Sequence, residues 1–240
     1  MSDAKDYAGY HRTEPRVSSA QDVMVRIYAR FPVLGQPFRH VARCVPEDAR
    51  ILDVGCGRGQ YLRIVRRLRP RAELLACDLS DDLDRAELES VRFSACDVEA
   101  QALPYPDASF HHVNCMHVLE HLHSPLPLMR EILRVLRPGG TAYVETPDVR
   151  LTMVPHVPLL TGCEGGINFW DDPTHRRPYS RPALFRLSRM AGFQQVESCL
   201  YVRRWAHLLA LPLALVSRNN DFKMAVLHAL GFFCAVILRR

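Results

Sequence analysis

Residues Arg50 to Leu62, RILDVGCGRGQYL, constrain the fold most, because a short apolar run passes through three alternate glycines directly into an amphipathic segment. Ile51, Leu52 and Val54 read as a buried parallel strand, while Tyr61, Leu62, Ile64, Val65 and Leu68 recur at helical spacing, with Arg63, Arg66, Arg67 and Arg69 expected on the solvent side. Strand, turn and helix are therefore contiguous. Gly55, Gly57 and Gly59 can take positive φ and carry no Cβ, so a ligand can lie against the backbone with its negative end towards the free N–H groups of the helix start. Asp53 adds a carboxylate at the strand tip.

The spacing narrows the ligand. A dinucleotide turn, G-x-G-x-x-G, would need its third glycine at position 60, which is Gln60. That disfavours a nicotinamide oxidoreductase. Two further strand-like runs, Ala72 to Ser80 and Val91 to Ala100, each carry an acid near their ends, Asp78 and Asp97. Asp78 lies about one helix and one strand after the glycines, where a carboxylate can accept from both ribose hydroxyls of an adenosine. Aspartates at strand ends also form turns without any ligand, and that bland role stands beside the functional one.

The motif DVGCGRG, with its G-x-G-x-G spacing, resembles the first motif of the class I S-adenosylmethionine-dependent methyltransferases. The resemblance implies a doubly wound, mostly parallel seven-stranded α/β sheet with an antiparallel last strand, and S-adenosylmethionine as cofactor. It implies cofactor contacts from Asp53, Gly55, Cys56, Gly57, Gly59, Asp78 and Leu79, with Asp97 on the adenine amino group and Val98 offering its backbone. The likeness runs in order from Arg50 to Pro147, because LRPGG followed by the strand TAYVET also matches the approach to strand five of that family.

At 240 residues the chain suits one α/β domain with additions: a cap or lid over 1–45 and the main domain over 46–240. The net charge of +5 comes almost wholly from scattered arginines, with Lys5 and Lys223 the lysines, so no nucleic-acid partner is expected. None of the eight cysteines forms a C-x-x-C pair and several fall in expected strands, which fits reduced thiols and a cytoplasmic setting. The opening residues have no apolar core of a secretory signal.

Residues 1–17 are polar, with Tyr7, Tyr10 and His11 available to close over a ligand, and helices are expected from Ser18 or Ser19 to Phe31 and from Phe38 to Cys44. After the strand FHHVNCM, His117 to His121 spells H-x-x-E-H, a zinc-protease pattern that needs both histidines on one long helix. A strand before it and Pro125 and Pro127 after it argue against that, so no metal is assigned. The segment instead resembles the V-L-E-H-L stretch after strand four of small-molecule methyltransferases, which implies that His117 borders the cofactor and that His121 faces the acceptor. A helix over Leu126 to Leu136 with Met129, Ile132, Leu133 and Leu136 buried is expected to stop at Arg137-Pro138-Gly139-Gly140.

Residues 150–192 read as an acceptor-binding loop and helix. INFWDDPTHRRPYS, Ile167 to Ser180, packs Trp170, Asp171, Asp172, His175, Arg176, Arg177 and Tyr179 between regular elements, as binding loops do. Its T-H-x-R pattern resembles a segment that faces the active site in similar methyltransferases. His175 is the first candidate base, Asp172 its orienting partner and His121 the second base. The structural alternative has Asp172 and His175 capping the next helix and Trp170 plugging the core.

Phe193 to Tyr201 and Phe232 to Leu238 read as strands six and seven, with an apolar helical insertion over 203–231 broken by Pro212. Its apolar runs are too short to span a bilayer, but residues 203–238, flanked by arginines, offer a homodimer interface or a peripheral membrane contact. Two functions from different classes follow. One is methyl transfer to a small-molecule acceptor, expected at a hydroxyl oxygen, and the other is a noncatalytic S-adenosylmethionine-binding module acting through the apolar tail.

Overall fold

The computed structural model describes residues 19–31, 35–154, 168–199, 227 and 231–240. Strand β1 (Arg50–Val54) pairs in parallel with β2 (Glu73–Asp78) on one side and with β4 (Phe110–Met116) on the other. Beyond β2 lies β3 (Arg92–Ala95), and beyond β4 lies β5 (Leu136–Pro147), so the parallel part runs β3-β2-β1-β4-β5. β7 (Phe233–Arg239) is inserted antiparallel between β5 and β6 (Gln195–Cys199), completing the seven-stranded order β3-β2-β1-β4-β5-β7-β6. The expected doubly wound sheet with an antiparallel last strand is thus present, with β6 rather than β7 at its edge.

Alternation along each strand decides which layer a residue supports. Ile51, Leu74 and Ala76 join one buried cluster with Val25, Phe38, Val41, Leu62 and Val65 from helices α1 (Ser19–Arg30), α2 (Gln36–Cys44) and α3 (Gln60–Leu68). Their neighbours Leu52, Leu75 and Val113 face the opposite layer, against Leu128, Met129 and Ile132 of helix α5 (Pro125–Val135) and Leu184 of α6 (Arg181–Met190). A short helix α4 (Arg85–Leu88) precedes β3. Both sheet faces are covered, which explains why β1 and β2 are almost continuously apolar. The expected lid over 1–17 and nearly all of the expected insertion over 203–231 lie outside the described residues. Among the described residues no helix is long and apolar enough to cross a membrane.

Three local expectations are corrected. Arg63 and Arg69 are buried rather than facing solvent. Arg63 forms a two-pronged pair with Glu87, and Arg69 donates to the carbonyls of Val41, Ala42 and Val45 that end α2, so both guanidiniums have partners that helical periodicity cannot reveal. The run LRPGG belongs to the strand. Leu136 opposes Phe110 while His112 opposes Thr141, a register shift that accommodates the extra residues as a bulge. Gly140 is required there, since a Cβ would stand 2.9 Å from the Arg137 carbonyl and 3.0 Å from that of Phe110. The third strand is also shorter than expected, leaving Asp97 two residues past its end.

Candidate active site

Strand order reverses about β1: the chain runs outward through β2 and β3 on one side, then returns to β4 and β5 on the other. In open α/β sheets the crevice beyond the carboxyl ends at such a switch point is where ligands bind. The glycine turn leaves β1 there and the His117–His121 segment leaves β4 there. The two segments touch so closely that a Cβ on Gly55, at φ 70°, would fall 2.2 Å from Val118 Cγ2. Gly59, at φ 82°, starts α3 in the left-handed region. Gly57, at φ 48°, faces open space, since a Cβ there would meet nothing within 4 Å.

Asp78 braces the turn. One carboxylate oxygen accepts from the Gly57 N–H at 2.8 Å and the other from the Leu79 N–H at 2.7 Å. The Gly55 and Cys56 N–H groups both donate to the Cys77 carbonyl, so β2 fixes the glycine turn from below. Asp97 Oδ1 accepts from the N–H groups of Glu99 and Ala100, the turn-forming contact anticipated as its bland role, and Val98 beside it is half-buried. Asp53 is buried within the sheet and accepts from Asn114 Nδ2 at 2.6 Å; burial pushes its carboxyl up to about 7 against that hydrogen bond, with the charge of Asp78 adding to the rise. Cys56 is buried as well. The residues fit an adenosyl ligand on two counts: a side-chain-free, open surface at Gly57, and a half-buried acid directly beside it.

On the β4 side, His117 takes φ 56°, a left-handed conformation uncommon for a residue with a Cβ and often found where function constrains the backbone. Its Nδ1 lies 3.3 Å from Glu120 and its Nε2 3.6 Å from Glu145, two carboxylates with no solvent exposure. Burial would lower the His117 pKa, but the hydrogen bond to Glu120 and the charges of both glutamates outweigh it and raise it. Glu120 also accepts from Thr146 Oγ1, and despite burial its carboxyl is held below the usual range by His117 first and by His121 and His175 beyond it. Glu145 was not singled out from the sequence, although an acid inside the apolar run TAYVET was a visible signal that a buried partner existed.

The loop over 168–180 comes to the same edge. The backbone carbonyl of Glu120 accepts from the Arg176 and Arg177 N–H groups, clamping loop to turn. The rings of His121 and His175 then lie 4.8 Å apart, and His175 stacks on Phe169 at 4.4 Å. The expected His175–Asp172 pair is looser than a hydrogen bond, with His175 Nε2 3.7 Å from Asp172 Oδ2. His175 Nδ1 bonds instead to the Phe169 carbonyl at 2.6 Å, while Asp172 receives the N–H and hydroxyl of Thr174. Burial would raise the Asp172 carboxyl, yet the Thr174 hydrogen bond, followed by the His175 charge, brings it below its ordinary value. The helix-capping alternative is not what this loop does. Ser180 caps α6, Trp170 is 54 % exposed, and the buried aromatics of the loop are Phe169 and Tyr179. Glu120, His121 and His175 also bring one potential ligand atom each within 4.8 Å of one another, close enough for a cation to draw them together.

The sequence of the Methyltransferase domain family matches residues 52–144, which is the β1-to-β5 core just described. A ubiquinone biosynthesis O-methyltransferase of Xanthomonas axonopodis pv. citri is 32 % identical over 171 residues, covering 67 % of this chain and 70 % of that protein. The chain belongs to the S-adenosylmethionine-dependent methyltransferase family. Another such relative, from Xanthomonas campestris pv. campestris, is 38 % identical over 112 residues, 44 % of this chain; the match spans 46 % of that protein, about half its length. An S-adenosylmethionine dependent methyltransferase from Mesorhizobium loti has the same fold, with TM-score 0.62 and 20 % identity over 90 % of this chain and all of that one. For a methyltransferase of this family, the glycine turn and the Asp78 brace lie at the crevice that the strand order selects.

Proposed function

We propose that this methyltransferase transfers a methyl group from S-adenosylmethionine to a hydroxyl oxygen of a small-molecule acceptor. One observation carries the reading: the paired histidines of the 168–180 loop and the 117–121 turn meet at the sheet edge that also bears the glycine turn. When bound, the cofactor supplies a methyl group already activated on a sulfonium, so the protein's work is alignment and proton removal. In this reading Asp78 holds the ribose hydroxyls, Asp97 and the Val98 backbone hold the adenine, and Gly55, Cys56, Gly57, Gly59 and Leu79 form the wall of the turn. His117 and Asp53 border the same crevice.

The acceptor oxygen gives its proton to an imidazole Nε2 of the His121–His175 pair, bonds to the methyl carbon, and the carbon–sulfur bond breaks with its electrons on sulfur. A base placed in this way contributes roughly 10²–10⁴ fold. The name borne by the Xanthomonas relatives, ubiquinone biosynthesis O-methyltransferase, supports an oxygen acceptor. The test is transfer of labelled methyl from S-adenosylmethionine into a fractionated cell extract. Label should enter a small organic product with wild type and fall sharply with His175→Ala, while cofactor affinity stays unchanged. Cofactor binding with no transfer to any fraction would return the protein to a noncatalytic binding module.

A further inference from the structure

We infer that Thr174 is a positioning residue that couples Asp172 to His121 and so fixes which nitrogen of His121 is basic. The inference deepens the proposed function, on which its purpose rests. Thr174 Oγ1 lies 3.0 Å from His121 Nδ1 and donates its own proton to Asp172 Oδ1. An ionised carboxylate only accepts, so the hydroxyl proton is committed to Asp172 and Oγ1 can only accept from His121. Nδ1 must then carry the imidazole proton, leaving the lone pair on Nε2.

The same logic holds across the pair. His175 Nδ1 faces the carbonyl of Phe169, which also only accepts, so His175 is fixed with its lone pair on Nε2 as well. The two rings, 4.8 Å apart, are thereby held in one tautomeric sense by two unrelated acceptors. Among the described residues, the titratable groups that face His121 include His175 and Asp172 on the loop and Glu120 on its own turn. Of these, only Asp172 reaches His121 Nδ1 through a hydroxyl among the described hydrogen bonds.

The experiment needs no acceptor. The full chain is labelled with ¹⁵N-histidine, and two-bond proton–nitrogen spectra are recorded at pH 8, with His121 assigned by its loss in His121→Asn. His121 is expected as the Nδ1–H form in wild type and in Thr174→Ser, and as predominantly Nε2–H, the form preferred by a free imidazole, in Thr174→Val. In Asp172→Ala the hydroxyl loses its acceptor and is free to donate to Nδ1, so the same switch to Nε2–H is expected without loss of the threonine. Wild-type His121 found as Nε2–H, or as Nδ1–H in both Thr174→Val and Asp172→Ala, overturns the inference. So does a His121 signal that changes when wild type is treated with EDTA, since a bound cation would then be setting the tautomer. Where transfer is measurable, Thr174→Val should lower kcat roughly 10–100 fold with the cofactor KM unchanged and move the acid limb of the rate profile to lower pH, and Thr174→Ser should restore both. A tautomer switch without any methyl transfer leaves the positioning role standing and removes the proposed reaction instead.

Discussion

The two halves of the crevice are built differently. On the β1–β2 side the glycine turn and Asp78 are joined by short-range geometry, with three positive-φ glycines and one carboxylate accepting from the Gly57 and Leu79 N–H groups. On the β4–β5 side the two candidate bases, His121 and His175, come from segments more than 50 residues apart, clamped by two backbone hydrogen bonds to the Glu120 carbonyl and by the Thr174–His121 contact. The first half is a backbone shape, which a few residue types can specify. The second is a meeting of side chains, which depends on how the 168–180 loop packs. Substitutions should therefore separate binding, on the first half, from chemistry, on the second.

The largest effect should fall on the second half. His175→Ala is expected to reduce transfer by roughly 10²–10⁴ fold while leaving the dissociation constant for S-adenosylhomocysteine within a factor of about 2. A matching loss of affinity in calorimetry would show that the two halves are not separable. Next comes Asp78→Ala, which removes a charged acceptor and a brace of the turn together, and should weaken cofactor binding by roughly 30 to 1000 fold, about 2–4 kcal/mol. An unchanged dissociation constant would take Asp78 out of the binding half. Gly55→Ala should follow at about 2–3 kcal/mol of lost stability, because the methyl meets Val118 Cγ2 at 2.2 Å and the backbone is left-handed, whereas Gly57→Ala, in open space, should cost only about 1 kcal/mol. Equal melting temperatures for the two variants would contradict the close contact between the halves.

The smallest effect concerns pH and lies away from the crevice. His40 on α2 and His112 on β4 share the hydroxyl of Thr141, each at 3.0 Å, and tie the N-terminal helices to the sheet. Burial lowers the His40 pKa to about 4, with the charges of Arg239 and Arg39 adding to it, and burial first and His40 second hold His112 well below its ordinary value. Both folded values are depressed below the unfolded one, so below pH 6.5 the unfolded chain takes up more protons. The stability from these neutral imidazoles is thus complete above about pH 6.5 and declines towards pH 4, at up to about 1.4 kcal/mol per pH unit for each group. Denaturant titrations of wild type and His40→Gln between pH 7.5 and 5 should show a shallower decline in the variant. Parallel curves would mean that His40 is not held neutral by the fold.

The same contrast explains what could be read from the amino-acid sequence. Strand β4 was anticipated as FHHVNCM and is found over Phe110–Met116, and the turn after β1 was anticipated from its glycine spacing, since both depend on neighbours along the chain. The LRPGG run was misassigned because its role depends on a bulge opposite Phe110, and Arg63 and Arg69 because their partners lie on other helices. His121, Asp172 and His175 are candidates by residue type and the structure brings them to one edge, but the partnership expected between Asp172 and His175 is made through Thr174 to His121. Thr174 has no periodicity or charge to mark it. The T-H-x-R pattern includes it but assigns it no partner, which the clamp between residues 120 and 176 supplies.

The claim on which the account rests is that the edge around Gly57 and Asp78 holds the adenosyl cofactor. Isothermal titration of the full chain with S-adenosylhomocysteine measures this directly. The account predicts saturable binding at one site per chain, weakened by Asp78→Ala and indifferent to His175→Ala. Absence of heat and of competition with S-adenosylmethionine, or saturable binding of a pyridine dinucleotide in its place, would contradict it.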